Sequence, residues 1–103
     1  MNTQTIAWLG AQYVYNLAQI AGNQTSVVEY RQGICRGYAE AIAIGLGFRF
    51  YTDPFQRAVE AIEDTLQSTA YTGQLRLTDT QVKELRATAR KAAKGASKPF
   101  ALY

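Results

Sequence analysis

The sequence predicts an all-α fold, a single-domain bundle of about four helices, and three observations carry that prediction. Apolar residues recur at steps of three and four in four separate segments, start and stop signals frame those segments, and no segment alternates with the period of two that a strand requires. With 103 residues, 48% of them hydrophobic and no low-complexity run, the chain has room for one domain, residues 1–103. A domain of that length buries roughly two thirds of its unfolded surface, which makes a core without metal or disulfide feasible.

The first helix is expected over about residues 3–21, with Thr3 as N-cap, Ile6, Leu9, Tyr13, Leu17 and Ile20 as its apolar stripe, and Gly22 as its stop. Trp8 and Tyr15 lie off that stripe and form a second, aromatic ridge. Ser26-Val27-Val28-Glu29 reads as a capping box that opens the second helix, about residues 27–46, whose Ile34, Cys35, Tyr38, Ile42 and Leu46 share a face. Asp53 as N-cap and Pro54 at the first helical position open the third, about residues 54–71, with Phe55, Val59, Ile62 and Leu66 inward and Gly73 marking its end. The connector "QLRL" is expected to plug the core with Leu75 and Leu77. A second capping box, Thr78-Asp79-Thr80-Gln81, opens the fourth helix, about residues 79–94, with Val82, Leu85, Ala89 and Ala92 inward; Gly95 stops it and a tail, residues 95–103, follows.

The second helix carries Gly33, Gly37, Ala41 and Gly45 at strict intervals of four. Small residues along such a row leave a shallow groove, and glycine there weakens the helix by about 1 kcal/mol each relative to alanine. Close approach by another helix is the expected compensation, from within the chain or from a second copy, a partner protein or a flat ligand. If Gly45 and Gly47 instead break the helix, only the Gly33–Gly37 pair remains.

Charge and composition exclude several chemistries. The chain has no histidine and one cysteine, Cys35, so the commonest general base is missing, no internal disulfide can form, and no metal-ligand spacing is present. Arg31 and Arg36 stand near enough in sequence to activate Cys35 as a nucleophile, but a buried small hydrophobe is the reading that burial statistics favour. No enzyme activity, cofactor or metal is expected. The N-terminus shows no secretory pattern and the longest apolar run, Ala41 to Leu46, is far too short to span a bilayer, so a soluble, cytoplasmic protein without membrane contact is the expectation.

The net charge of +3 is unevenly placed. Lys83, Arg86, Arg90 and Lys94 form one basic stripe on the fourth helix, suited to a phosphate backbone, while Glu60, Glu63 and Asp64 are expected on a solvated face of the third helix that neutralises part of it.

The segment "CRGYAEAIAIGL", Cys35 to Leu46, resembles the central Cys-x-Gly-Tyr segment and small-residue helix of the Tai-type immunity proteins, small helical inhibitors of type VI secretion amidase effectors; "GQLRLTDTQV" is similar to a later helix start of that family. The resemblance implies a small helical inhibitor that works by binding a protein.

These readings converge on a non-catalytic protein-binding module, a small stoichiometric inhibitor of the immunity or phage counter-defence type, with Trp8, Tyr15 and Tyr38 as protein-binding residues. Seven tyrosines beside one tryptophan supply rings of the kind enriched at interface hot spots. A homo-oligomer is compatible with the small-residue groove. The alternative is a nucleic-acid-binding protein that uses the basic helix, residues 82–94.

Overall fold

The computed structural model describes residues 2–20, 25–69 and 74–101, with side chains for 2–20, 29–69 and 74–95. Four helices account for nearly all of these: α1 (Thr3–Ile20), α2 (Thr25–Gly45), α3 (Asp53–Gln67) and α4 (Asp79–Ala101). No strand occurs among the described residues. α1 packs along α2 and α3 along α4, the α2–α3 contact joins the two pairs, and α2 barely meets α4. Trp8 reaches Tyr38 while Asn16 reaches Arg31, so α1 and α2 run antiparallel.

Each helix sends a stripe of three-and-four spacing into one shared core. Ile6, Leu9 and Tyr13 come from α1, Cys35, Ala39 and Ile42 from α2, Phe55, Val59, Ile62 and Leu66 from α3, and Val82, Leu85 and Ala89 from α4. Full burial stabilises side chains of this size by roughly 1.5 to 3 kcal/mol each, which is what holds helices this short in place. Most of the expected stripe residues are present, with Leu17, Ile20, Tyr38 and Leu46 at the edge of the core instead of its centre; Ile34 and Ala92, expected inward, are only half-buried, and in α4 Ala93 is buried in place of Ala92.

Helix boundaries follow local chemistry more closely than the sequence suggests. α1 is capped by Asn2, whose Oδ1 accepts from the Thr5 amide at 2.8 Å, and not by Thr3. α3 is capped by Thr52, whose Oγ1 accepts from the Phe55 amide at 3.2 Å. Asp53 is therefore the first helical residue, where its charge complements the helix dipole. In both cases two adjacent residues are chemically able to cap, and the earlier one does. Ser26 lies inside the backbone of α2, which begins at Thr25, so it is not the cap of that helix. The capping box of α4 is complete: the Gln81 amide donates to Thr78 Oγ1 at 3.1 Å and the Thr78 amide to Gln81 Oε1 at 2.8 Å.

α2 ends at Gly45 on a Schellman motif. The Gly47 amide donates to Ile44 O at 2.9 Å, the Phe48 amide to Ala43 O at 3.1 Å, and Gly47 sits at φ +100, where an L side chain is strained. Gly45 thus belongs to the helix and Gly47 terminates it. α3 stops at Gln67, short of the expected residue 71, with Ser68 as C-cap. The Thr65, Ser68 and Thr69 hydroxyls there all turn back onto carbonyls four residues earlier, an arrangement that competes with continuation of the helix. The expected stops at Gly22 and Gly73 lie outside the described residues. α4 does not stop at Gly95 but runs to Ala101, so the segment read as a tail is helical through residue 101. Gly95 is not at positive φ, and a helical glycine costs only about 1 kcal/mol relative to alanine.

The connector before α4 fastens it to α1. The Leu77 amide donates to Ala7 O at 3.0 Å, and the Leu77 side chain, 7% exposed, lies where a side chain on Gly10 would be. Leu75 does not share the role expected of it: it is 79% exposed.

Candidate functional site

The outer face of α2 is the first candidate. At about 100° per residue, Gly33, Ile44, Gly37, Tyr30, Ala41, Ile34, Gly45 and Tyr38 fall in one sector about 140° wide that contains no charged residue. Tyr30 is 71% and Ile44 49% exposed. The charged residues of the helix stand elsewhere: Arg31 faces α1, and Glu29, Arg36 and Glu40 line the opposite flank. Gly33 and Gly37 are exposed, and a Cβ at either would meet nothing within 4 Å. The expected close packing of another helix of this chain onto the glycine ridge is therefore absent at both positions, because the inward sector of α2 is occupied by Cys35, Ala39, Ile42 and Ala43 and the ridge points the other way. Ala41 packs at the edge of the core and Gly45 is half-buried.

Of the three expected protein-binding rings, the fold brings two together. Trp8 stands edge-on to Tyr38, with ring centroids 6.3 Å apart at 83°, and forms the rim of the α2 face on the α1 side. Trp8 is 43% exposed, so much of a large indole remains open beside Tyr38. Tyr15 follows on α1 about 10.5 Å further along the axis and is exposed to the same degree.

Beneath this face a polar network ties three helices. The Tyr13 hydroxyl donates to Glu63 Oε2 at 3.0 Å and accepts from Gln67 Nε2 at 3.1 Å, and Arg36 Nη1 pairs with Glu63 Oε1 at 2.8 Å. Glu63 therefore does not stand on a solvated face toward α4; its place at the edge of the α3 stripe turns it toward α1 and α2. Burial, with Glu63 beside it, holds the Tyr13 phenol well above its ordinary range, against a smaller opposing effect of the Gln67 hydrogen bond. Asn16, buried, accepts from Arg31 Nη1 at 2.8 Å and donates to Gln12 O at 2.8 Å.

Cys35 lies 3% exposed below the network, its thiol directed at Tyr13 O at 3.7 Å. Burial first, and the Glu63 charge second, push the thiol up to about 11 against the opposing pull of Arg31. A thiol so placed is protonated at neutral pH, the reverse of an activated nucleophile. Arg36, the other cation near it in sequence, is engaged by Glu63 and Glu40.

The basic stripe is the second candidate. Lys83, Arg90 and Lys94 are exposed and Arg86 is half-buried. The α3 acids do not face it. A shallow depression between α3 and α4 is lined by Arg57, Glu60 and Asp64 on one side and Thr88, Lys91 and Gly95 on the other, so the α4 cation on the side of those acids is Lys91 and not a member of the stripe. The expected neutralisation of the stripe is not made by ion pairs: among the described residues none joins a carboxylate to the four cations.

The α2–α3 loop carries a feature that periodicity does not mark. Tyr51 is 87% exposed at φ 63, a left-handed conformation that a bulky residue adopts only at a cost. Its ring lies tilted at 46° against Phe50 with centroids 3.9 Å apart, and Phe50 stands edge-on to the core residue Phe55 at 5.1 Å. The signal was the density of rings in "FRFYTD" between Gly47 and Pro54.

The fold and its surfaces define a small all-α protein with one uncharged and one basic helix face. Comparison with protein-family models, with curated proteins and with solved structures found no match. Among the described residues no group of acidic or sulfur side chains could hold a metal ion, and no helix is long and apolar enough to cross a membrane.

Proposed function

We propose that this protein works by binding another protein, without catalysis, as a small stoichiometric inhibitor of the immunity or phage counter-defence type. The observation that carries the reading is the outer face of α2. Two glycines weaken that helix by about 1 kcal/mol each relative to alanine, and no other part of the described chain approaches them. Tyr30, Ile44, Ile34 and Tyr38 flank them on one side with apolar and ring surface that Trp8 extends, while Glu29, Arg36 and Glu40 border them on the other, an uncharged patch with a charged rim as at an interface. A partner helix laid across Gly33 and Gly37 recovers through close contact what the glycines cost. The buried, protonated Cys35 supports a role that uses no nucleophile.

Gly37→Arg tests the proposal, since the open space above Gly37 allows the bundle to form unchanged. Affinity capture from a bacterial lysate should retain a protein on the native chain and lose it on the Gly37→Arg chain. The activity of the captured protein should fall in proportion to added native chain, reaching its floor at one equivalent. Identical capture by both chains, or an activity unchanged at excess chain, would refute the reading.

A further inference from the structure

We propose that α4 binds the phosphate backbone of a nucleic acid along the flank that carries Lys83, Arg86, Arg90 and Lys94. At about 100° per residue these four cations fall within a sector about 80° wide, and they rise along the axis by about 4.5, 6 and 6 Å. That is one cation per helical turn in a straight row, a spacing of the same order as that between neighbouring phosphates on one strand. The flank is separate from the depression between α3 and α4, about 130° round the helix, which Thr88, Lys91 and Gly95 line opposite Glu60 and Asp64; the buried Val82, Leu85, Ala89 and Ala93 pack between the two. Among the described residues the ion pairs are those of Arg36 with Glu40 and Glu63, and no carboxylate lies within pairing distance of the four cations. Asp79 stands at the amino end of the flank, where the helix dipole offsets its charge, and Glu84 is outside the flank, about 120° from its centre.

What lies between the cations separates a nucleic acid from an acidic protein as occupant. Beside the row, about 20° from Lys94, stands exposed Ala87, and among the described residues no ring or large aliphatic side chain is exposed on this flank. A protein partner needs a desolvated anchor at the centre of its interface, and this flank has none. A phosphate backbone needs only a row of cations, because release of condensed counterions drives the association. Small Ala87 lets a strand approach the helix, and Arg86, already half-buried, loses less freedom when it meets a phosphate. The surface also lies on a different helix from the uncharged face of α2, with which α4 makes almost no contact.

The test is fluorescence anisotropy of the full chain with a labelled 20-nucleotide duplex DNA, the corresponding single strand, and an RNA of the same sequence, from 50 to 300 mM KCl. Four neutralised phosphates predict a slope of log K against log salt of about −3.6 for duplex DNA and about −2.8 for a single strand. Arg90→Glu should weaken binding at least tenfold and make the slope shallower by about one, whereas Lys91→Glu, the same charge change one residue away on the other flank, should weaken it less than threefold. Circular dichroism of both variants keeps a folding defect from imitating either result. Equal losses from the two substitutions, tighter binding to polyglutamate than to all three nucleic acids, or no saturable binding at 50 mM KCl would each overturn the assignment.

Discussion

At position 35 the surroundings decide the chemistry of a single sulfur. The unfolded chain ionises its thiol near pH 9, whereas the folded chain holds the proton to about pH 11. Between those values the unfolded state binds fewer protons than the folded one, so stability falls as pH rises through the window, by an amount on the order of 3 kcal/mol. Tyr13, held above its ordinary value of 10.0, adds to the fall with the same sign at the upper end. Urea midpoints taken from pH 7 to pH 10 should therefore decline for the native chain and decline less steeply for Cys35→Ala, which starts lower because of the cavity it leaves. Parallel curves would show that Cys35 does not titrate as its burial requires. The burial itself was legible, since cysteine is among the most buried residue types and no histidine exists to activate it. The partners of Glu63 were not legible: its angular place at the edge of the α3 stripe fits water as well as it fits Arg36, and only the position of α2 selects between them.

Within a helix, the cost of a glycine depends on what stands opposite, which the sequence does not contain. Gly10 and Gly37 are alike on paper. A methyl at Gly10 would come within 2.9 Å of Leu77 Cγ, whereas one at Gly37 meets open space. Gly10→Ala should accordingly destabilise by about 1 to 3 kcal/mol through overpacking, and Gly37→Ala should stabilise by about 0.5 to 1 kcal/mol through helix propensity. Thermal unfolding of the two variants beside the native chain checks the opposite signs, and a loss of stability in Gly37→Ala would show that the α2 face is covered. The same dependence on tertiary context explains the other boundaries. The α4 capping box was readable because serial Thr, Asp, Thr and Gln leave one geometry that satisfies both amides. The caps of α1 and α3 shifted by one residue because Asn2 and Thr52 are as able as their neighbours, and Gly95, read as a stop, is carried along by the alanines around it.

For the molecule as a whole, the pattern of apolar stripes was sufficient to read an all-α bundle, while the pairing of its helices and the flank by which α4 meets α3 were settled only by packing. The resulting body measures 44 × 31 × 20 Å. A helix with its side chains is about 10 to 12 Å across, so the shortest dimension holds two helix layers and one sheet of side chains between them. Every helix contributes to that one sheet: Ile6 and Tyr13, Cys35 and Ile42, Phe55 and Leu66, Val82 and Leu85 share it. No helix pair keeps a private interior when the other departs, and either pair alone would hold an apolar face against water. Loss of any part therefore removes the reason for the rest to stay folded, and the chain has no half-open state in which to rest. Calorimetry should find the measured unfolding enthalpy equal to the van't Hoff value, with far-ultraviolet and tyrosine signals melting together; a ratio well above one, or transitions at different temperatures, would show that the helix pairs melt independently. A body so thin is in this sense indivisible: its cooperativity comes from having a single seam.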